Sequence, residues 1–294
     1  MFIKWKVNSY FNRMLGRPDI NKAYAMVGPE DSWYKTITMV HESLAQIHQL
    51  PHERLHIISH DGLKMEGVYY SCGSKKTMVW VHGYTSHAER ESAFPGLFYR
   101  SLGFNVLVPY LRAHGPSEGR YLSFGALEHL DLQRWVDKVN ELIPDGEIVI
   151  HGISMGGGIA LDLASVQMRN VKALVIDAPS ESIEGFLRGT SSYTFKDKAD
   201  KIYPYIYQRF IEVFSADPYN FNRIETLRNG KYPILLSAGS MENCEELFDQ
   251  LVMANPHPTH TVILPGCNHG NGMYKQTQMY QDAIREFVDR YTEN

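Results

Sequence analysis

Six short apolar runs, "TMVWVHG", "FNVLVPYL", "EIVIHG", "KALVIDAP", "YPILLSAG" and "HTVILPG", recur between residues 77 and 266. Each is too short for a buried helix and too continuously apolar for a strand with one wet face, so each reads as a strand covered on both sides. Between them, "ESAFPGLFYRSLG" and "EHLDLQRWVDKVNELI" place apolar residues at helical spacing, and the first stops at Gly103. Parallel neighbours need a long crossover, usually a helix. The alternation therefore predicts an α/β fold: a doubly wound, mostly parallel sheet. Ahead of it, "RLHIISHDGLKMEGVYYSCG" has two β-prone runs around Asp61-Gly62, which predicts an antiparallel hairpin at the start of the sheet. At the far end, Met279, Ala283, Phe287 and Tyr291 predict the buried stripe of a last helix.

The 294 residues suffice for one large domain or two small ones. Residues 1–50 read as a polar, helical extension broken at "GRPDI" and "VGPED", and residues 51–294 as the main domain. One stretch interrupts the rhythm. About fifty residues separate "VIDAPS" from "YPILL", more than a crossover needs, and they are rich in Tyr and Phe from Phe186 to Phe221. This predicts a mostly helical cap inserted at about 181–228. Most of its aromatics are expected to form its own core, and a minority to face a pocket and set substrate choice.

Charge narrows the partners. With 29 basic and 33 acidic residues intermixed, no broad basic face is offered to nucleic acid. Three cysteines, Cys72, Cys244 and Cys267, fit neither a disulfide framework nor a paired zinc site, which favours a reducing cytoplasm. No apolar run is long enough to span a bilayer, and the N-terminus has no signal-peptide block. In "MFIKWKVNSYFNRML", Ile3, Val7, Phe11 and Met14 recur at helical spacing beside Lys4, Lys6 and Arg13. That stripe is expected to pack on the domain, without stable membrane attachment.

The chemistry centres on "VIHGISMGGG". Gly152-Ile153-Ser154-Met155-Gly156 follows a buried run and precedes a helical one, the setting in which GxSxG becomes a nucleophile elbow. A serine at neutral pH needs a base to take its proton and an acid to orient that base. In "VILPGCNHGNG", His269 stands between the last strand and the last helix, where the base belongs. Two acids compete for the third place. Glu242 follows Gly239 in the loop after "YPILLSAG", and Asp177 ends the preceding strand; Asp249 reads as part of the next helix. Glu242 is preferred. His82, His87, His114 and His151 cluster in nearby loops, but without metal-ligand spacing they read as packing residues. Cys267 reads as a small packing residue.

With these motifs the chain, over about residues 53–290, resembles the α/β-hydrolase fold superfamily of serine hydrolases. The resemblance rests on "HGYTS", "LRAHGPSEG", "HGISMGG" and "GCNHG", and is strongest to bacterial carboxylesterase-like and acylaminoacyl-peptidase-like members. It implies an oxyanion hole from the backbone N–H groups of Tyr84 and Met155, and its order of nucleophile, acid and base matches Ser154, Glu242 and His269. The chain departs from the family's "DxRGHG" element, with Tyr110 in place of Asp and Ala113 in place of Gly.

The expected activity is cofactor-independent hydrolysis of a small-molecule carboxylic ester through an acyl-enzyme, with no metal required. Alternatives are an acylaminoacyl-peptidase-like or thioester hydrolase, and a silent ligand-binding homologue, which an incomplete triad would mark. Oligomeric state is left open by the sequence.

Overall fold

A computed structural model of the protein describes residues 2–180 and 182–293. Residues 1 and 294 at the ends, and residue 181, where the insertion is expected to begin, lie outside the described residues.

The strands are β1 (Glu53–Ile58), β2 (Lys64–Tyr70), β3 (Lys76–Val81), β4 (Asn105–Pro109), β5 (Glu147–Ile153), β6 (Val171–Asp177), β7 (Ile234–Gly239) and β8 (Thr259–Leu264). They form one sheet in the order β1-β2-β4-β3-β5-β6-β7-β8. β2 pairs antiparallel with both β1 and β4, and every other pair is parallel. Each predicted run is thus a strand, and the hairpin turns at Asp61-Gly62; β8, however, is not covered on both sides as expected, because it stands at the sheet edge and buries only Leu264.

The helices are α1 (Phe2–Met14), α2 (Tyr34–Ile47), α3 (Ala88–Ser101), α4 (Glu128–Leu142), α5 (Met155–Asp162), α6 (Ile183–Phe195), α7 (Ala199–Phe214), α8 (Arg223–Leu227), α9 (Glu245–Ala254), α10 (Gly272–Lys275) and α11 (Thr277–Tyr291). Strand periodicity assigns the two cores. Val79, Val81, Ile148 and Ile150 point to the face covered by α1, α4 and α5, whereas Met78, Trp80 and Val149 point to the face covered by α2, α3 and α11. Burying each such side chain contributes roughly 1.5–3 kcal/mol.

On α11 the buried residues are Tyr280, Ile284, Phe287 and Val288, while Met279 is 43% exposed. This corrects the predicted stripe. Steps of four residues rotate by about 40° beyond a full turn, so a 279-283-287-291 pattern drifts around the helix.

α1 buries Val7, Tyr10 and Phe11, and Leu15 just beyond it is buried too, but Ile3 is 41% exposed. Its apolar side packs on the helices between β6 and β7: Phe11 stacks on Phe214, Tyr10 meets Phe195, and Tyr10 Oη lies 2.6 Å from Thr190 Oγ1. Among the described residues no helix is long and apolar enough to cross a membrane.

The excursion between β6 and β7 comprises α6, α7 and α8, and its ends meet in a bridge between Ser182 and Asn222. Arg223 fastens its base to α5 and to the segment after β6. The guanidinium is 1% exposed and donates to the carbonyls of Gly158 (3.0 Å) and Ser180 (2.6 Å) and to Asp162 (3.1 Å). Removing one member of a buried pair strands the other. Arg223→Leu is therefore expected to lower unfolding free energy by about 3–5 kcal/mol, read as a lower denaturant midpoint at unchanged slope.

Candidate active site

β5 runs into α5 through Ser154, whose φ of 55° and ψ of −117° lie where side chains are rarely tolerated. The turn is held from several sides. Ser154 N–H donates to the Asp177 carbonyl (2.8 Å), and the Ser154 carbonyl accepts from Gly158 N–H (3.0 Å) and Ser180 N–H (3.2 Å). A Cβ on Gly156 would collide with the Val81 carbonyl, which is why this position of the motif takes glycine.

Two loops at the same end of the sheet deliver the partners. His269 Nδ1 is 2.5 Å from Glu242 Oε2, and its Nε2 is 2.9 Å from Ser154 Oγ. With Nδ1–H donating to the carboxylate, Nε2 is left to accept the serine proton. Glu242 Oε1 is fixed in turn by Gly239 N–H (2.8 Å). The loops approach closely: Met241 N–H donates to the Cys267 carbonyl (3.1 Å), and any side chain on Gly239 would strike that oxygen. The hydrogen bond to Glu242 is the largest influence on the His269 imidazole, and it raises the pKa above the usual histidine value.

Asp177 is near the site but faces elsewhere. Its carboxyl is 4% exposed and accepts from Ser237 Oγ (3.1 Å), with Tyr280 Oη at 3.3 Å. Burial pushes it up to about 7. Asp249 lies within α9.

A cavity of about 320 Å³ opens beside the serine, lined by Tyr24, Trp33, Gly83, Tyr84, Ser86, Glu91, Ile153, Ser154, His269 and Gly270. Among the described residues no aromatic of the β6–β7 excursion lines it; Tyr205 of α7 lines a separate cavity, against Val7 and Asn8 of α1. Phe186 instead stacks on Phe124 at 3.5 Å and meets Tyr84 edge-on. Besides Tyr84, the aromatic walls of the cavity beside Ser154 come from Tyr24 and Trp33, in the stretch read as a mere extension. Tyr84 Oη also donates to the Met14 carbonyl (2.7 Å), linking the end of α1 to the same loop.

The four nearby histidines are packed. His82 Nδ1 lies 2.9 Å from the Gly83 carbonyl and its Nε2 accepts from Leu111 N–H; His114 Nδ1 lies 3.0 Å from the Arg112 carbonyl. His151 Nε2 lies 3.1 Å from Tyr280 Oη, and the His87 ring sits against Tyr110. Burial lowers all four, His114 to about 4 and His151 to about 3. Elsewhere His60, Asp61 and Asp131 bring metal-ligand atoms together, but Arg112 donates to both carboxylates there, so that cluster already encloses a cation. Cys267 is buried, and burial raises its thiol. Ala113 adopts a φ of 59°, the left-handed conformation that glycine takes without strain.

Residues 76–288 match the alpha/beta hydrolase fold family. The chain belongs to that family. An esterase of Pyrococcus furiosus has a similar α/β-hydrolase structure, with a TM-score of 0.66 and 23% identity over 95% of this chain and 99% of that one. An alpha-beta hydrolase of Vibrio vulnificus gives a TM-score of 0.64 and 19% identity over 97% and 93%. In sequence, the chain is 33% identical over 132 residues to a multifunctional-autoprocessing repeats-in-toxin protein of Vibrio vulnificus, 42% of this chain but 2% of that protein's length. It is also 25% identical over 234 residues to an uncharacterized Mycobacterium tuberculosis protein, covering 78% of this chain and 76% of the relative. Within this α/β-hydrolase fold, Ser154 directly follows β5, and Glu242 and His269 lie in the loops after β7 and β8, on one rim of the sheet.

Proposed function

We propose that the chain is a serine hydrolase that cleaves small-molecule carboxylic esters through an acyl-enzyme. The observation that carries this reading is the continuous hydrogen-bonded line from Glu242 through His269 to Ser154 Oγ. Ser154 Oγ attacks the acyl carbonyl while His269 Nε2 takes its proton, and Glu242 orients the ring and balances its charge. The same proton passes to the departing alkoxide. Water, deprotonated by His269, then releases the acid and restores the serine.

The oxyanion is assigned to the N–H groups of Met155 and Tyr84. Met155 opens α5, so its N–H has no acceptor within the helix and points along the positive end of the dipole. Each such donor typically contributes about 10²–10³ in turnover. Structures of similar fold described as esterases add support for an ester substrate.

The test is labelling by a fluorophosphonate probe, with p-nitrophenyl esters of graded chain length assayed beside an aminoacyl amide. Expected results are one labelled peptide containing Ser154 and faster turnover of an ester than of the amide. Labelling that persists in Ser154→Ala would overturn the assignment.

A further inference from the structure

Glu91 lies in the first turn of α3 yet is only 2% exposed. Both its oxygens accept from Gly83 N–H, at 2.9 Å each. Around it stand Gly83 and Ser86 from the loop after β3, Tyr24 from the N-terminal segment, Tyr274 from α10, Asp177 from β6, and His269. Of these only His269 can carry positive charge, and that imidazole is already engaged by Glu242 and Ser154. Burial accordingly pushes the Glu91 carboxyl up to about 7. A buried carboxylate without a dedicated counter-charge is costly.

Glu91 is also among the residues lining the cavity that holds Ser154, with Tyr24 and Trp33 as aromatic walls. Its reach is short. The point where a Cβ on Gly83 would stand is 3.4 and 3.5 Å from the Glu91 oxygens and 3.6 Å from Ser154 Cβ. An acyl carbon on Ser154 with an ammonium one or two carbons away spans such a gap at ordinary bond lengths, closing on a charge-assisted contact of about 2.8 Å. Aromatic faces beside a carboxylate favour ammonium over an aliphatic end.

We propose that this cavity binds the ammonium group of an aminoacyl substrate, with Glu91 as its counter-charge and Tyr24 and Trp33 as its walls. The proposal rests on the hydrolase reading above and specifies its substrate class. A neutral acyl chain would leave Glu91 unpaired, and an anionic one would be repelled.

The experiment compares β-alanyl and butanoyl esters of one phenol, which differ by an ammonium in place of a methyl. In the wild type, kcat/KM for the β-alanyl ester should exceed that for the butanoyl ester by about tenfold or more at pH 8, and the ratio should fall at least about tenfold in Glu91→Gln. On the wild type alone, the ratio should rise from pH 6 to pH 8 as Glu91 ionises, because titration of His269 affects both esters alike and cancels. Asp177→Asn should keep that rise, which separates Glu91 from the other carboxyl titrating nearby. A wild-type ratio at or below one, a ratio flat with pH, or a ratio unchanged in folded Glu91→Gln overturns the subsite. Turnover of neither ester with Ser154 still labelled by the fluorophosphonate also counts against it. Absence of both turnover and labelling is instead the failure of the hydrolase reading, and the subsite falls with it.

Discussion

Ser154→Ala is expected to reduce ester turnover on the order of 10⁶-fold, the scale seen when a triad nucleophile is removed, without disturbing the fold. The hydroxyl is the only group deleted, and the hydrogen bonds that hold the turn run through the Ser154 main chain. Alanine at φ 55° inherits the strain of serine, so the thermal midpoint should barely move. Ser154→Gly should be equally inactive but more stable than Ser154→Ala by about 1 kcal/mol, since glycine accepts positive φ without a Cβ clash. The pair separates chemistry from strain: both lose activity, and only one gains stability. Residual turnover above about 1% in Ser154→Ala, far beyond what an oxyanion hole alone sustains, would move the nucleophile elsewhere.

The same residue shows what a sequence can reveal. Strands β3 to β7 are buried on both faces, so their apolar runs are continuous and easy to read, whereas β8 stands at the sheet edge with only Leu264 buried; the elbow is marked by glycines that close backbone approach demands. His269 could be expected beside the serine because it follows the last strand, on the rim that carries Ser154; its Nε2 lies 2.9 Å from Ser154 Oγ. Side-chain direction was harder. Asp177 ends β6 and Glu242 lies in the loop after the adjacent β7, and strand order cannot tell that one carboxyl turns toward Ser237 and the other toward His269.

Harder still was the cavity wall. Tyr24 and Trp33 lie about fifty or more residues before the motif loop, in a polar stretch without periodicity, and reach the site only because α1 and α2 pack on opposite faces of the sheet. The aromatic density of residues 186–221 pointed instead to the excursion, where Phe210 packs on Phe214, Phe195 and Phe214 meet α1, and Phe186 meets Phe124 and Tyr84. Glu91 has the sequence signature of an ordinary helix-start acid, and only its burial against Gly83 sets it apart.

Replacing Glu242, the proposed orienting acid, is expected to give the second large effect. Glu242→Gln keeps the size of the side chain but replaces a charged acceptor with an amide that can hold His269 in the wrong tautomer, which in a serine protease costs about 10⁴ in turnover. A loss of several orders of magnitude in kcat is expected, with the protein still folded. The pH profile should change as well. His269 acts as a base only when neutral, so wild-type activity falls as pH drops through its raised pKa; because the Glu242 hydrogen bond is the main cause of that rise, the acid limb in Glu242→Gln should move to lower pH. Asp177→Asn should behave oppositely. Its carboxyl makes no contact with the imidazole nitrogens, which are taken by Glu242 and Ser154, so kcat and the acid limb should change little. Stability should respond instead. Asp177 holds its proton up to about 7 in the folded chain, whereas an exposed carboxyl in the unfolded chain loses it well below that, so the native state loses stability as pH rises through this window. Asparagine stays neutral throughout, and Asp177→Asn should therefore melt higher than wild type at pH 8 and alike at pH 4. If instead Asp177→Asn lost the activity and Glu242→Gln kept it, the orienting acid would be Asp177.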